Sequence, residues 1–176
     1  VINPDDTLFA LAPVVDATRY SGGIFFDGDV GHITGTTGLP VLNEVSLSLW
    51  IRSDRSEGDD LIFAYGETSL TISNLSNLMI SRDGASVSTN ISLINGQWQH
   101  LALSWRGSDG QLTVFKNGLA AFNGTLASGT TLPPNGTLSF GKETFGFIDE
   151  VQLWNKTLSR SDVQAAMFSA PDSDVS

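Results

Sequence analysis

The chain has 176 residues, carries a net charge of −10 at pH 7 and contains no cysteine. A pI near 4.3, with nine Lys and Arg that form no basic patch, sets it against polyanionic partners such as nucleic acid. The lack of cysteine excludes disulfide stapling and thiolate metal sites, leaving apolar burial, hydrogen bonds and oxygen-bound hard cations to hold the fold.

Taken in chain order, the first stretch, up to about Ala17, is poor in pattern and reads as a linker, as does the Asp- and Ser-rich end from Pro171 onward. Val1-Ile2-Asn3-Pro4 does not resemble a basic signal segment, and no run of about 18 apolar residues is present to span a bilayer. The expectation is one soluble, monomeric domain over 1–176, with its core over about 20–170, excised from a longer chain. Between the ends, period-two alternation recurs. It marks strands at Gly23–Phe26, Val45–Ile51, Leu61–Tyr65, Ser69–Ile72, Leu78–Ile80, Trp98–Trp105, Leu112–Phe115, Gly118–Phe122, Thr137–Phe140 and Phe147–Trp154. Turn dipeptides separate them at Asp83-Gly84, Asn95-Gly96, Asp109-Gly110, Asn117-Gly118 and Asn135-Gly136. One helix is expected, over Leu158–Met167, capped by Ser159 or Ser161 and burying Val163, Ala166 and Met167. The fold class that follows is all-β, a two-sheet antiparallel jelly-roll sandwich with one short C-terminal helix.

The last strand poses a problem. Alternation through Ile148–Trp154 puts Asp149 on one face with Val151 and Leu153, and Ile148 on the other with Glu150, Gln152 and Trp154. A carboxylate buried among apolar side chains costs several kcal/mol unless a cation or backbone N–H groups meet it. Asp149 therefore needs a metal or a neighbouring turn.

The ordered series Phe26-Asp-Gly28, Val45–Ile51, Leu61–Tyr65, Gly96–Trp105, Gly110–Gly118, Gly136–Gly141 and Gly146–Asn155 resembles the laminin-G-like, pentraxin-like branch of the concanavalin A-like lectins and glucanases. The likeness spans about residues 20–170. It implies a calcium-dependent, extracellular binding module for cell-surface glycans. The missing cysteines depart from animal members and look like modules of large bacterial adhesins of the RTX type. In the related glucanases an aspartate at the place of Asp149 helps hold a structural calcium with the N-terminal strand, a side that Asp27 or Asp29 would supply here. The alternative is that Asp149 accepts hydrogen bonds from a neighbouring turn and Asp27-Gly28 is a turn only.

The pentraxin comparison implies a ligand-facing ion at the loops Tyr65–Ser69 and Gly141–Phe145, so Glu67 and Glu143 are the matching acids. Asp59 or Asp60 would add to them, unless the loop Asp54–Asp60 is only a solvated charged segment. Tyr65, Thr144, Phe145 and Phe147 are the candidates for contact with a sugar, of fucose, mannose or galactose type, whose vicinal hydroxyls replace calcium-bound waters; for the three aromatics, at strand ends, the alternative is a place in the core. Trp98 and Trp154 read as core, and His100 as a satisfied structural histidine. Five Asn-x-Ser/Thr sequons begin at Asn74, Asn90, Asn123, Asn135 and Asn155, as in a glycosylated chain, though a sequence rich in Ser and Thr produces several by chance. No Glu-x-Asp-x-x-Glu arrangement supplies the carboxylate pair of a retaining glucanase, and Asp149 and Glu150 are adjacent in sequence. The expectation is therefore binding without catalysis, with a calcium-rigidified spacer or protein-binding module as the alternative.

Overall fold

Val45, Leu47, Leu49 and Ile51, four alternate residues of one strand, are each at most 1% exposed, and they anchor the core of the protein. The computed structural model describes residues 7–10, 23–28, 32–55 and 60–168. Its strands are β1 (Thr7–Ala10), β2 (Ile24–Asp27), β3 (Ile33–Thr36), β4 (Glu44–Arg52), β5 (Leu61–Tyr65), β6 (Leu70–Ser73) and β7 (Met79–Arg82). They continue with β8 (Ala85–Ser88), β9 (Gln99–Arg106), β10 (Gln111–Lys116), β11 (Leu119–Thr125), β12 (Thr137–Lys142) and β13 (Phe145–Trp154), followed by the helix α1 (Arg160–Ala166).

One sheet runs β1-β13-β4-β9-β10-β11, with β2 also paired to β13; the other runs β3-β12-β5-β6-β7-β8. Every pairing between these strands is antiparallel. β1 and β2 share one edge of β13, β1 along its C-terminal half and β2 along its N-terminal half. The expected jelly-roll sandwich is the observed architecture. Three strands go beyond the sequence reading: β3 and β8, four residues each, and β1, which lies inside the stretch read as linker.

The inner faces meet in one apolar cluster that includes Leu47, Ile51, Leu101, Leu103, Trp105 and Val114 from the seven-stranded sheet and Phe63, Tyr65, Ile72, Ile80 and Phe140 from the other. The Asp83-Gly84 and Asn117-Gly118 pairs close two-residue hairpins, β7–β8 and β10–β11, with positive φ at all four residues. That backbone matches the strand twist and is why these dipeptides stand there.

α1 starts as the sequence suggests. Ser159 Oγ accepts from the Asp162 N–H, the Asp162 carboxylate accepts from the Ser159 N–H at 2.9 Å, and the box is complete. The helix lies on the outer face of the seven-stranded sheet, where Val163, Ala166 and Leu158 cover Ala102, Phe115 and Trp154. Serines hold the approach. Ser46 Oγ and Ser104 Oγ both accept from the Leu158 N–H, at 3.1 and 3.0 Å, and Glu44 accepts from Thr157. Trp154 is thus buried, as expected, but beneath the helix rather than between the sheets.

The last strand departs from simple alternation. Along β4, Trp50 pairs with Asp149 and Ser48 with Gln152, so three steps on β13 oppose two on β4. This is a β-bulge, with Glu150 at φ 48°. The extra residue reverses the parity read from sequence. Ile148 joins Val151 and Leu153 in the inter-sheet core, while Asp149 lies on the outer face with Gln152 and Trp154. The expectation that Asp149 points among the apolar side chains is corrected accordingly.

Two buried polar residues carry measurable consequences. Arg82 is 1% exposed; its guanidinium donates to Ser69 O at 3.2 Å, Thr130 Oγ1 at 3.1 Å and Thr131 O at 2.6 Å, and lies 4.3 Å from the Trp105 ring. Arg82→Ala strands these acceptors and opens a cavity, so it should destabilise the fold by about 3 kcal/mol or more, read as a lower urea midpoint at unchanged m-value. His100 is 1% exposed, packs edge-on against Trp50 at 5.3 Å and, among the described residues, has no hydrogen-bond partner at Nδ1. It is structural, as expected, but not fully satisfied. Burial lowers its pKa from 6.5 to about 4. The unfolded chain thus binds a proton that the folded one refuses, and stability falls as pH drops from 6.5 towards 4. The wild type should lose up to about 3 kcal/mol more over that window than His100→Gln, measured by denaturant titration at each pH.

Candidate functional site

The end of the sandwich where β12 turns into β13 gathers most of the residues singled out in the sequence. The turn Lys142-Glu143-Thr144 closes with the Thr144 N–H donating to Gly141 O at 3.1 Å, and Glu143 adopts φ 55°. β2 is stitched to it by the Gly28 N–H on Thr144 O at 3.0 Å and by the pairing of Asp27 with Phe145. β4 is joined through Ser53, whose hydroxyl donates to Phe145 O at 2.6 Å. Gly141 is required here because any Cβ would collide with the Phe26 ring.

The predicted acids do not converge. β5 and β12 are antiparallel, with Leu138 opposite Tyr65 and Lys142 opposite Leu61. The turn after β5, with Glu67, therefore lies at one end of the sheet and the turn after β12, with Glu143, at the other, separated by a ladder of about 13 Å. A single ion cannot take both. Asp27 also stands apart from Asp149: it is beside Phe145, and the step beyond the Ile148–Ile24 pair brings Gly23, not Asp27, next to Asp149. Asp29 and Asp59 lie outside the described residues. Among the described residues no three acidic or histidine side chains form a group suited to a metal.

Three candidates for ligand contact are structural instead. Tyr65 is 1% exposed; its hydroxyl donates to Pro133 O at 2.7 Å and accepts from the Gly136 N–H at 3.0 Å. Thr144 is fully buried. Asp60 is fully buried as well, and its carboxylate accepts from the Leu75 N–H at 3.2 Å, holding the β6–β7 connection. Glu67 is exposed in a tight turn and Glu143 is half-buried. Asp149 is 8% exposed, and among the described residues its carboxylate accepts one hydrogen bond, from the Glu150 N–H at 2.8 Å. Burial raises its pKa, and that hydrogen bond opposes the rise only in part.

What the fold does assemble is a row of aromatic and guanidinium groups on the outer face of the seven-stranded sheet. Phe25, Phe147 and Arg52 are direct cross-strand neighbours on β2, β13 and β4, and Trp98 leads into β9 beside them. Phe25 lies 5.0 Å from Phe147 and, edge-on, 5.5 Å from Phe145. Trp98 is 6.3 Å from Phe147. The Arg52 guanidinium sits 4.7 Å from the Phe147 ring and 5.9 Å from Trp98, and Arg55 caps Phe145 at 3.7 Å. Phe25 is 49% exposed, and its neighbours in the row are half-buried.

Phe145 and Phe147, candidates for sugar contact with the core as the alternative, lie half-buried on this outer face; Phe25, Arg52 and Arg55 are not among the residues the sequence singles out, and Trp98, read as core, is half-buried here as well. The signal existed. Trp98 and Trp105 are seven residues apart in one strand run, so alternation puts them on opposite faces, and Trp105 is the one in the core.

Comparison with known proteins agrees with this architecture. The family model described as the concanavalin A-like lectin/glucanases superfamily, of laminin-G type, matches residues 26–164. A rat protein named for its sushi, von Willebrand factor type A, EGF and pentraxin domains is 24% identical over 88% of the chain, which spans only 5% of that relative's length. Domain 4 of the GH43 extracellular arabinanase AbnA from Geobacillus stearothermophilus, solved with arabinotriose, has a TM-score of 0.68 at 22% identity, covering 89% of this chain and 81% of that one. The heptameric SAP-like pentraxin of Limulus polyphemus has a TM-score of 0.61 at 16% identity, covering 93% and 82%. With 139 contiguous residues matched by that model, the chain belongs to the concanavalin A-like lectin/glucanases superfamily.

Proposed function

We propose that the chain is a carbohydrate-binding module of an extracellular or cell-surface protein, acting on glycans by recognition without catalysis. The observation that carries this reading is the aromatic row of Phe25, Phe147 and Trp98, left half-open on a sheet face. Such rings present flat apolar surfaces to the C–H faces of sugars, and exposed aromatics of this kind mark binding surfaces. The family and the arabinotriose complex of the arabinanase domain support it. An adhesin is the setting we favour for the parent protein, and fucose-, mannose- or galactose-type sugars remain candidate ligands.

Calcium enters the reading as a stabilising ion at Asp149, not as the bridge to the sugar. Among the described residues the Asp149 carboxylate accepts one hydrogen bond and burial disfavours its charge, so a hard cation would be favoured there; with no group of three acidic or histidine side chains among those residues, its other ligands would be backbone carbonyls and water. Glu67 and Glu143, at opposite ends of the sheet, do not fit a shared ligand-facing ion. The burial of Tyr65, Thr144 and Asp60 favours a second reading, a rigid spacer that touches no ligand.

A glycan array probed with the full chain decides between them: binding of defined sugars supports the module, and an array without signal in calcium supports the spacer. Phe25→Ala should weaken glycan binding about three- to tenfold with no change in melting temperature, since the ring is half exposed. For the ion, calcium at a hundredfold excess over its Kd should stabilise the wild type by about 2.7 kcal/mol and leave Asp149→Asn unmoved. If no ion binds there, Asp149→Asn should instead equal or exceed the wild type in stability at neutral pH, because it removes a carboxylate whose burial favours protonation.

A further inference from the structure

Arg52 is placed unlike Arg82 and Arg106. Arg82 spends its donors on three protein oxygens, and Arg106 on Asp109 and Gln111. The Arg52 guanidinium makes no hydrogen bond and no ion pair with any described residue; it is held by two rings, 4.7 Å from Phe147 and 5.9 Å from Trp98. Stacking on aromatic faces fixes the guanidinium without using its N–H groups, so the donor fork stays available at the surface. A planar fork of this kind matches an oxyanion bidentately, which a point charge on a flexible stem does not.

We propose that Arg52, flanked by Trp98, Phe147 and Phe25, forms a subsite for an acidic sugar, a ring that carries a carboxylate or sulfate group. The inference rests on the glycan-binding reading and adds the ligand class to it. The half-exposed Phe25 ring takes the apolar face of the sugar, Phe147 and Trp98 hold the guanidinium, and Arg52 takes the anionic substituent. The two halves sit side by side because Phe25, Phe147 and Arg52 are consecutive neighbours across three strands. Arg55, over the Phe145 ring at 3.7 Å, stands beside Asp27 at the next position along β2 and β13, so Arg52 is the cation at the Phe25–Phe147 step. A chain of net charge −10 has no general attraction for anions, so selectivity must come from this local cation.

The test uses the full chain against immobilised 3′-sialyllactose, 3′-sulfolactose and lactose, with competition by free sodium glucuronate and by methyl glucoside. The sialylated or sulfated glycan should bind about tenfold or more above lactose, as one charge-assisted hydrogen-bonded pair provides, and the two acidic arms separate carboxylate from sulfate. Arg52→Gln should bring the ratio of acidic to neutral binding to about one, with Arg52→Lys intermediate, each variant checked for an unchanged melting temperature. Glucuronate competing better than methyl glucoside for the wild type keeps the test independent of any variant. Equal binding of lactose and the acidic glycans overturns the subsite while glycan recognition stands. Failure of all sugars overturns both, and capture of an acidic protein in place of sugars overturns the ligand class.

Discussion

One extra residue in β13 decides which side of the sheet each later residue of that strand occupies. With three steps from Asp149 to Gln152 set against two on β4, Val151 and Leu153 stay in the inter-sheet core while Trp154 passes to the outer face and meets the helix. Without the bulge the strand would send Asp149 into the apolar layer, at a cost of several kcal/mol for an unpartnered carboxylate. The positive φ of Glu150 is a local strain, and the apolar burial on both faces of the strand outweighs it. Because β13 also pairs with β1, β2 and β4, its register positions every other strand at that edge.

The outer face of the seven-stranded sheet is divided between two solutions to the same problem. At one end α1 covers Ala102, Phe115 and Trp154, and the serines of β4 and β9 satisfy the chain that leads to it. At the other end the aromatic row has no such helix among the described elements, and the rings cover one another while Arg52 lies across them. Between the two ends stand Trp50 and His100, the latter kept neutral at physiological pH by its burial. A single sheet face thus passes from sealed to open over the length of a strand. The open end coincides with the β12–β13 turn, where backbone hydrogen bonds from β2 and the Ser53 hydroxyl fix the loop.

The sandwich was legible in the sequence because alternation and turn dipeptides act locally, and the strands from β4 to β13, β8 apart, follow them to within three residues at either end. β2, β6 and β7 are four residues each and were still read, whereas β3 and β8, of the same length, are mostly exposed and carry no apolar alternation, and β1 lies in a stretch without pattern. The site was less legible, for two physical reasons. A bulge at a non-glycine residue leaves no compositional trace, so the side of Asp149 could not be read. Antiparallel pairing then separates loops that look equivalent in sequence, which is why Glu67 and Glu143 do not meet. Arg52 and Phe25 were within reach, since each follows from its neighbour: Ile51 and Phe26 face the core, so the residues beside them must face outward.

The six-stranded sheet ends on β3 at one side and β8 at the other, each four residues long, with mostly exposed and partly hydroxylated side chains. Short borders with so few free backbone groups offer a poor template for zipping onto another β-protein. The long border of the other sheet, β11, follows an irregular register against β10, which disturbs the flatness that such pairing needs. Crowded copies of this domain therefore have little tendency to fuse into fibrils.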